Sequence, residues 1–150
     1  MAKNGMSAKD IVAKIESMRD KVRASFVVDT LTYLHRGGRC GSVTALLGNT
    51  LKLKPMIVVK DGKMGVAKKY RGKQKAVVMN YVRELEEDLL KAEPQRVFIT
   101  HSGIDKEIET KVYEYLKELD YFKEICITRA GGVISSHCGP NTLGVLFYER

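Results

Sequence analysis

Three segments concentrate residue types that can bind an anion. In the segment 68–75, five cations fall within eight residues where a strand is expected to end and a helix to begin: Lys68, Lys69, Arg71, Lys73 and Lys75. A helix N-terminus presents unpaired N–H groups and a partial positive charge, so lysines there oppose the helix dipole unless an anion offsets them. The alternative is a solvated surface charge run, and the residues alone leave both interpretations open.

The second segment, 34–41, surrounds Arg39 with three glycines, Gly37, Gly38 and Gly41. Glycines let the backbone turn sharply and let another group approach closely, and Arg39 is the polar residue that such a turn would display. A helix C-cap beside an incidental surface arginine is the alternative.

The third segment, 134–141, is rich in serine, glycine and proline and carries His137. It predicts a loop that presents His137, whose imidazole can donate a hydrogen bond to a carboxylate or titrate near neutral pH. The neighbouring Cys138 suggests a Cys–His nucleophile, but residues adjacent in sequence rarely reach that geometry.

His101 follows the predicted strand 97–99, where it either faces a ligand or belongs to the N-terminal region of the next helix. The chain has three histidines at scattered positions, which disfavours a metal site. It contains no complete phosphate-loop, dinucleotide, nucleophile-elbow or zinc-protease motif. The residues therefore predict no metal, no cofactor and no catalytic constellation.

Composition indicates the charge of the partner and the cellular compartment. A formal net charge of +8 favours an anionic partner. A nucleic-acid-binding module would need exposed aromatics among the basic residues, and only Tyr70 meets that description. The single cysteines Cys40, Cys126 and Cys138 predict free thiols in a reducing cytoplasm. The apolar runs are too short for a membrane span, and we expect no leader peptide.

Hydrophobic spacing and turn residues predict the elements. Ser7 and Asp10 form a capping box, and Asp61-Gly62 is a strong hairpin turn. The expected helices are 7–18, 31–34, 43–47, 73–91 and 104–119, and the expected strands are 26–28, 56–60, 63–70, 97–99, 125–127 and 143–148. This order predicts a single α/β domain over 1–150, a two-layer mixed β-sheet with a central antiparallel hairpin, covered mainly on one face by helices.

The succession of motifs resembles the C-terminal lobe of the DegV family of bacterial fatty-acid-binding proteins. The matching segments are Leu31-x-x-Leu34-x-x-Gly37-Gly38-Arg39, Leu46-Leu47-Gly48-x-x-Leu51-x-Leu53-Lys54-Pro55, Asp61-Gly62, Lys69-x-Arg71-Gly72 and His137-x-Gly139-Pro140. Asn141 stands where the family usually has glycine, and Cys40 stands where it usually has an aliphatic residue. Asparagine tolerates a left-handed backbone, so the turn at Asn141 is expected to survive.

The resemblance implies a lipid carrier rather than an enzyme. It implies that a fatty acid lies in an apolar tunnel, that an N-terminal lobe absent from this chain supplies hydroxyl groups, and that a fatty acid kinase is a partner. His137 would then hydrogen-bond the carboxyl group, Arg71 would neutralise it, Lys69 would add positive potential, and Arg39 would support the site or the kinase contact. Four apolar residues are candidates for the tunnel lining, with core packing as the default: Leu46, Leu47, Ile57 and Ile134. A fold-level analogy to the substrate lobe of dihydroxyacetone kinases keeps an enzyme as an alternative.

Overall fold

The computed structural model describes residues 1–38 and 53–150. Several predictions concern residues outside these ranges. They are the short helix 43–47 and the roles of Arg39, Cys40, Leu46 and Leu47, all of which stay predictions.

Helices and strands alternate along the described chain, as expected. The strands are β1 Val22–Val27, β2 Leu53–Lys60, β3 Lys63–Arg71, β4 Val97–His101, β5 Ile125–Arg129 and β6 Leu143–Tyr148. The helices are α1 Ala8–Met18, α2 Thr32–Arg36, α3 Gln74–Glu84, α4 Glu86–Leu89, α5 Lys106–Glu118 and α6 Gly132–Cys138, with 3-10 turns at Ala2–Asn4 and Arg19–Lys21. Among these described helices, none has both the length and the apolar character that a membrane crossing requires.

One six-stranded sheet organises the domain, in the order β3-β2-β1-β6-β4-β5. The β4–β5 pair is parallel and the other neighbours are antiparallel, which confirms the predicted mixed sheet. Asp61 and Gly62 have φ of 51° and 70°, the left-handed pair that a tight two-residue hairpin turn requires. The predicted central hairpin is therefore confirmed.

The two faces of the sheet are covered unequally. On the first face, defined by α3, α4 and α5, the large apolar core includes Val78, Tyr81, Ile99, Leu116 and Val145, all completely buried. On the second face, which carries α2, the buried apolar cluster is small: Val28, Leu31, Leu34 and Ile57. Within residues 1–38 and 53–150, helices therefore cover mainly one face, as predicted.

A β-bulge in the hairpin decides which face receives the basic residues of β3. Met56 pairs with Lys68, whereas Ile57 pairs with Val66, so Ala67 has no partner of its own. Side chains alternate along a strand, and one extra residue exchanges the faces beyond it. Val66 therefore packs in the second-face cluster, while Tyr70 packs in the first-face core. The same alternation directs Lys69 and Arg71 to the second face.

Two predicted elements differ from the structure. The helix expected over 73–91 is interrupted at Leu85 and ends at Leu89. The loop expected over 134–141 is wrong, because residues 132–138 form α6 and His137 lies in its last turn. Gly139, with φ of 79°, then ends the helix in a conformation that favours glycine. The predicted cap of α1 is confirmed, since the Ser7 side chain accepts a hydrogen bond from the backbone N–H of Asp10.

Candidate functional site

One end of the sheet collects the predicted site residues that the structure describes. The register brings the end of β1, the start of β2, the end of β3 and the start of β6 to this end. Arg71 ends β3, and α6 carries His137 to the start of β6. The strands β2 and β1 lie between β3 and β6, so about 14 Å of sheet separates the two sides of the site.

Helix α6 packs against α2 through two rings, each of which lies directly against a glycine of the other segment. A Cβ on Gly37 would lie 2.1 Å from Nδ1 of His137, so the imidazole occupies the space that any other residue would fill. A Cβ on Gly139 would lie 2.2 Å from Cδ2 of Tyr33, whose ring covers that glycine. Because Gly37 has an ordinary φ of −76°, it is needed for space and not for its backbone conformation.

A polar network holds the turn after His137. Asn141 has a left-handed φ of 59°, which confirms that asparagine maintains this turn. Its Nδ2 donates to Oδ2 of Asp29 at 3.3 Å, and its carbonyl oxygen accepts from Nε2 of Gln74 at 2.6 Å. Lys54 forms an ion pair with the other carboxylate oxygen of Asp29. The turn is thereby tied to the end of β1, the start of β2 and the start of α3.

The five cations of segment 68–75 separate into two groups. Lys68 pairs with Glu84 at 2.7 Å, and Lys75 pairs with Glu107 at 2.5 Å. Within residues 1–38 and 53–150, the other three have no acidic partner and are exposed: Lys69, Arg71 and Lys73. Two of these three, Lys69 and Arg71, are on the second face, so uncompensated positive charge borders its small apolar cluster.

Tyr70 is not an exposed aromatic residue, contrary to the sequence-based expectation. Only 7% of it is exposed, and its hydroxyl donates to Oε2 of Glu84 at 2.5 Å. Burial, reinforced by the Glu84 carboxylate, raises the pKa of Tyr70. The ring cannot stack on a nucleic-acid base from this position, so the basic segment lacks the aromatic platform of a single-strand-binding surface.

His101 has a structural role, which decides between its two sequence-based interpretations. It is buried, its Nε2 lies 3.1 Å from Oε2 of Glu109, and its Nδ1 accepts from the N–H groups of Gly103 and Ile104 at 3.2 and 3.3 Å. Both ring nitrogens are thus engaged within the fold. Across the two described ranges, no three His, Cys, Asp or Glu side chains are grouped as a metal site would require.

Cys138 is unsuited to act as a nucleophile. It is buried directly after His137, and burial raises the pKa of its thiol. Only the thiolate is strongly nucleophilic, so this cysteine stays protonated at neutral pH.

The two described candidates for the tunnel lining lie in different environments. Ile57 is completely buried in the second-face cluster. Ile134 is 56% exposed on α6, so the default expectation that it fills the core is wrong. An apolar cluster with cations on one side and an imidazole on the other suits an amphipathic anion, because a buried carboxylate needs such partners.

A second groove, of about 870 Å³, opens at the opposite end of the sheet. Its apolar lining includes Met56, Val58 and Phe147, and its charged lining is mixed: Arg19, Arg23 and Lys60 lie beside Asp20, Asp61, Asp88 and Glu149. Arg23 pairs with Glu149, and the carboxylates offset the cations of this groove, so it is the poorer candidate for an amphipathic anion.

Sequence reasoning missed the residues that support the site. The sheet brings together the side chains of Asp29, Lys54 and Asn141, which are far apart in the sequence. Tyr33 gave no signal beyond its place in a short helix. The glycines Gly37 and Gly139 were informative, since each marks a position where an aromatic or imidazole ring approaches the backbone.

The fold and the site together define a class of protein: a mixed-sheet α/β fold in which exposed cations border the apolar cluster of the second face. A family model described as "Uncharacterised protein, DegV family" matches residues 1–150. The chain belongs to the DegV family.

Similar proteins support this assignment. A DegV domain-containing protein of Clostridium perfringens is 37% identical over 148 residues, which cover 98% of this chain and 50% of that protein. The fatty-acid-binding DegV family protein of Thermus thermophilus has a TM-score of 0.83 and 29% identity, over 99% of this chain and 53% of that one. DegV of Bacillus subtilis, a fatty acid binding protein, has a TM-score of 0.76 and 33% identity, over 99% and 52%. The chain thus spans about half the length of these relatives.

Proposed function

We propose that this chain is the C-terminal lobe of a two-lobed protein that binds a long-chain fatty acid, and that the lobe itself is not an enzyme. Two lines of support are the family membership and the described relatives from Thermus thermophilus and Bacillus subtilis, which bind fatty acids. The observation that carries the proposal is the second face, where a buried apolar cluster lies between the cations of β3 and the imidazole of α6.

The proposed role of the polar residues is to hold the carboxyl group. His137 donates a hydrogen bond to it from a ring fixed against Gly37, and Arg71 neutralises its charge. Lys69 adds positive potential from the same face of β3, and Arg39 supports the site or the partner contact. Charge-assisted hydrogen bonds of this kind are worth about 1.5–3 kcal/mol each.

The proposed role of the apolar residues is to enclose the acyl chain. Each buried methylene contributes about 0.8 kcal/mol, so a long chain supplies ample binding energy. Ile57 and Ile134, together with Leu46 and Leu47, are the proposed lining. Ile134 is exposed in this lobe alone, which agrees with a tunnel that a companion lobe completes.

The proposed partner of the loaded carrier is a fatty acid kinase that acts on the carboxyl group. Lys69 and Arg71 are exposed, so a carboxyl group beside them stays accessible to a second protein. The proposed compartment is the cytoplasm, in keeping with the free thiols of Cys126 and Cys138.

Mass spectrometry of organic extracts tests the proposal. The two-lobed protein should carry a long-chain fatty acid after purification, and this lobe alone should carry little. Arg71→Gln in the two-lobed protein should lower fatty acid affinity about tenfold, whereas the control Lys63→Gln, at the other end of β3, should leave it unchanged. Extracts without any acyl chain would contradict the proposal, and His137→Ala with unchanged affinity would remove the proposed role of His137.

A further inference from the structure

Helix α1 carries an apolar stripe that the described residues cover only in part, at Ile11 and Met18. At about 100° per residue, Ile11, Val12, Ile15 and Met18 share one side of the helix. Val12 and Ile15 are 55% and 56% exposed, and no residue of α1 is buried. The stripe contributes to neither apolar cluster of the sheet.

The charges of α1 flank or oppose the stripe and cancel. Lys9 and Lys14 balance Asp10 and Glu16, so the helix has no net charge. A helix that lies on a membrane surface is typically rich in lysine and arginine on its polar side. Charge balance therefore favours a protein surface over an anionic membrane as the occupant of the stripe.

The size of the stripe favours a covalently linked partner. Eleven residues of helix are about 16 Å long, and a stable complex between separate copies normally buries at least about 1,200 Å². A small contact suffices when a linker supplies a high effective concentration. The relatives are about twice as long as this chain, so a linked second lobe is available in the family.

We infer that the apolar stripe of α1 is the docking surface for the companion lobe of the two-lobed protein. The inference rests on the proposed two-lobed organisation and assigns that contact to Ile11, Val12, Ile15 and Met18. Docking also explains why the helix is built as it is, since an isolated helix of this length is marginal in water.

Amide hydrogen exchange in the two-lobed protein, freed of lipid and compared with this chain alone, tests the inference. Exchange in residues 11–18 should be slower in the two-lobed protein than in this chain. In the two-lobed protein, the double variant Val12→Asp and Ile15→Asp should speed this exchange at least about tenfold, because two apolar contacts are replaced by buried charges. The matched control Ala13→Asp, on the opposite side of α1, should change this exchange less than about twofold. Circular dichroism checks that each variant folds.

Other occupants would overturn the inference. These outcomes are self-association of this chain that Val12→Asp abolishes, and α1-dependent binding to vesicles of phosphatidylcholine and phosphatidylglycerol in equal amounts. Exchange in residues 11–18 of the two-lobed protein that the double variant leaves unchanged would overturn it as well.

Fatty acid content of the two-lobed protein separates this inference from the proposed function. Slow exchange in residues 11–18 that depends on the stripe, in a two-lobed protein that never retains fatty acid, leaves the docking surface standing and refutes the carrier. A two-lobed protein that retains fatty acid and shows the same slow exchange in the double variant refutes only the docking surface.

Discussion

The two faces of the sheet differ in the size of their apolar clusters and in the charge at their borders. The first face is closed by three helices, and its core includes residues from α3, α4, α5 and four strands. In the described ranges 1–38 and 53–150, the second face has a cluster of four buried apolar residues, two rings that rest on glycine, and exposed cations along one side. The first face is therefore built as a folding core, whereas the described part of the second face has the small apolar cluster and the polar border expected of a binding surface.

Truncating one leucine on each face should give the largest difference. Leu116 and Leu34 are 0% and 1% exposed, on the first and second face. We expect Leu116→Ala to lower the free energy of unfolding by about 3–5 kcal/mol and Leu34→Ala by about 2–3 kcal/mol, because the smaller cluster can relax around the lost volume. Urea denaturation measures both, and equal costs would contradict the comparison.

Removing the Tyr81 hydroxyl from the first-face core should give the second largest loss in the free energy of unfolding. That hydroxyl donates to the carbonyl oxygen of Ser25 at 2.8 Å and accepts from the N–H of Val145 at 3.0 Å, so it links β1 and β6 inside the core. Tyr81→Phe removes both of these buried hydrogen bonds, and we expect a loss of about 1–3 kcal/mol in urea denaturation at neutral pH.

Urea denaturation at alkaline pH provides a further check on the role of the Tyr81 hydroxyl. Burial raises the pKa of Tyr81 to about 12, from about 10 in the unfolded chain. Since the folded state holds this proton more tightly, its contribution is complete below pH 10 and is lost as the pH rises from 10 towards 12. The advantage of the natural protein over Tyr81→Phe should therefore shrink across that window. A constant difference would mean that Tyr81 does not titrate with unfolding.

A methyl group on Gly37 should affect binding more than stability. The new Cβ would lie 2.1 Å from Nδ1 of His137, so the half-buried ring must rotate away from the site. We expect Gly37→Ala to lower the fatty acid affinity of the two-lobed protein about tenfold while unfolding changes by no more than about 1 kcal/mol. Gly65→Ala is the control, because a Cβ there meets nothing within 4 Å. Unchanged affinity in Gly37→Ala would show that the ring position is unimportant.

Substituting two adjacent lysines, one on each face, should give the smallest changes in stability and in ligand affinity. Lys68 pairs with Glu84, which also binds Tyr70, whereas alternation turns Lys69 to the second face. Lys68→Gln should cost less than about 1 kcal/mol of stability without altering ligand affinity, since exposed ion pairs contribute little. Lys69→Gln should leave stability unchanged and weaken fatty acid binding about twofold to threefold. The reverse pattern would show that the two faces have been assigned wrongly.

Local signals were sufficient for much of the fold. Asp61-Gly62 requires a left-handed turn, Ser7 with Asp10 fixes a helix start, and short apolar runs become buried strands. Each of these outcomes depends on neighbouring residues alone, so the sequence predicts it. The family resemblance also rests on motifs of this local kind.

Tertiary contacts decided what the sequence could not predict. Ser135 and Ser136 favour a loop, yet α6 forms because its end packs against α2 through Gly37 and Tyr33. Tyr70 has the spacing of a residue that shares a face with Val66, and only the bulge moves it into the other core. Such outcomes require knowledge of the partner strand or helix, which no local pattern contains.

Because Ala67 has no partner in β2, the number of residues that follow it in β3 decides which face each later side chain takes. Deleting or adding one residue between Ala67 and Arg71 would bring the tyrosine to the side now occupied by the cations and direct the cations into the hydrocarbon interior. A change of two residues would preserve the arrangement. Surviving length variants among homologous hairpins should therefore differ here by even numbers.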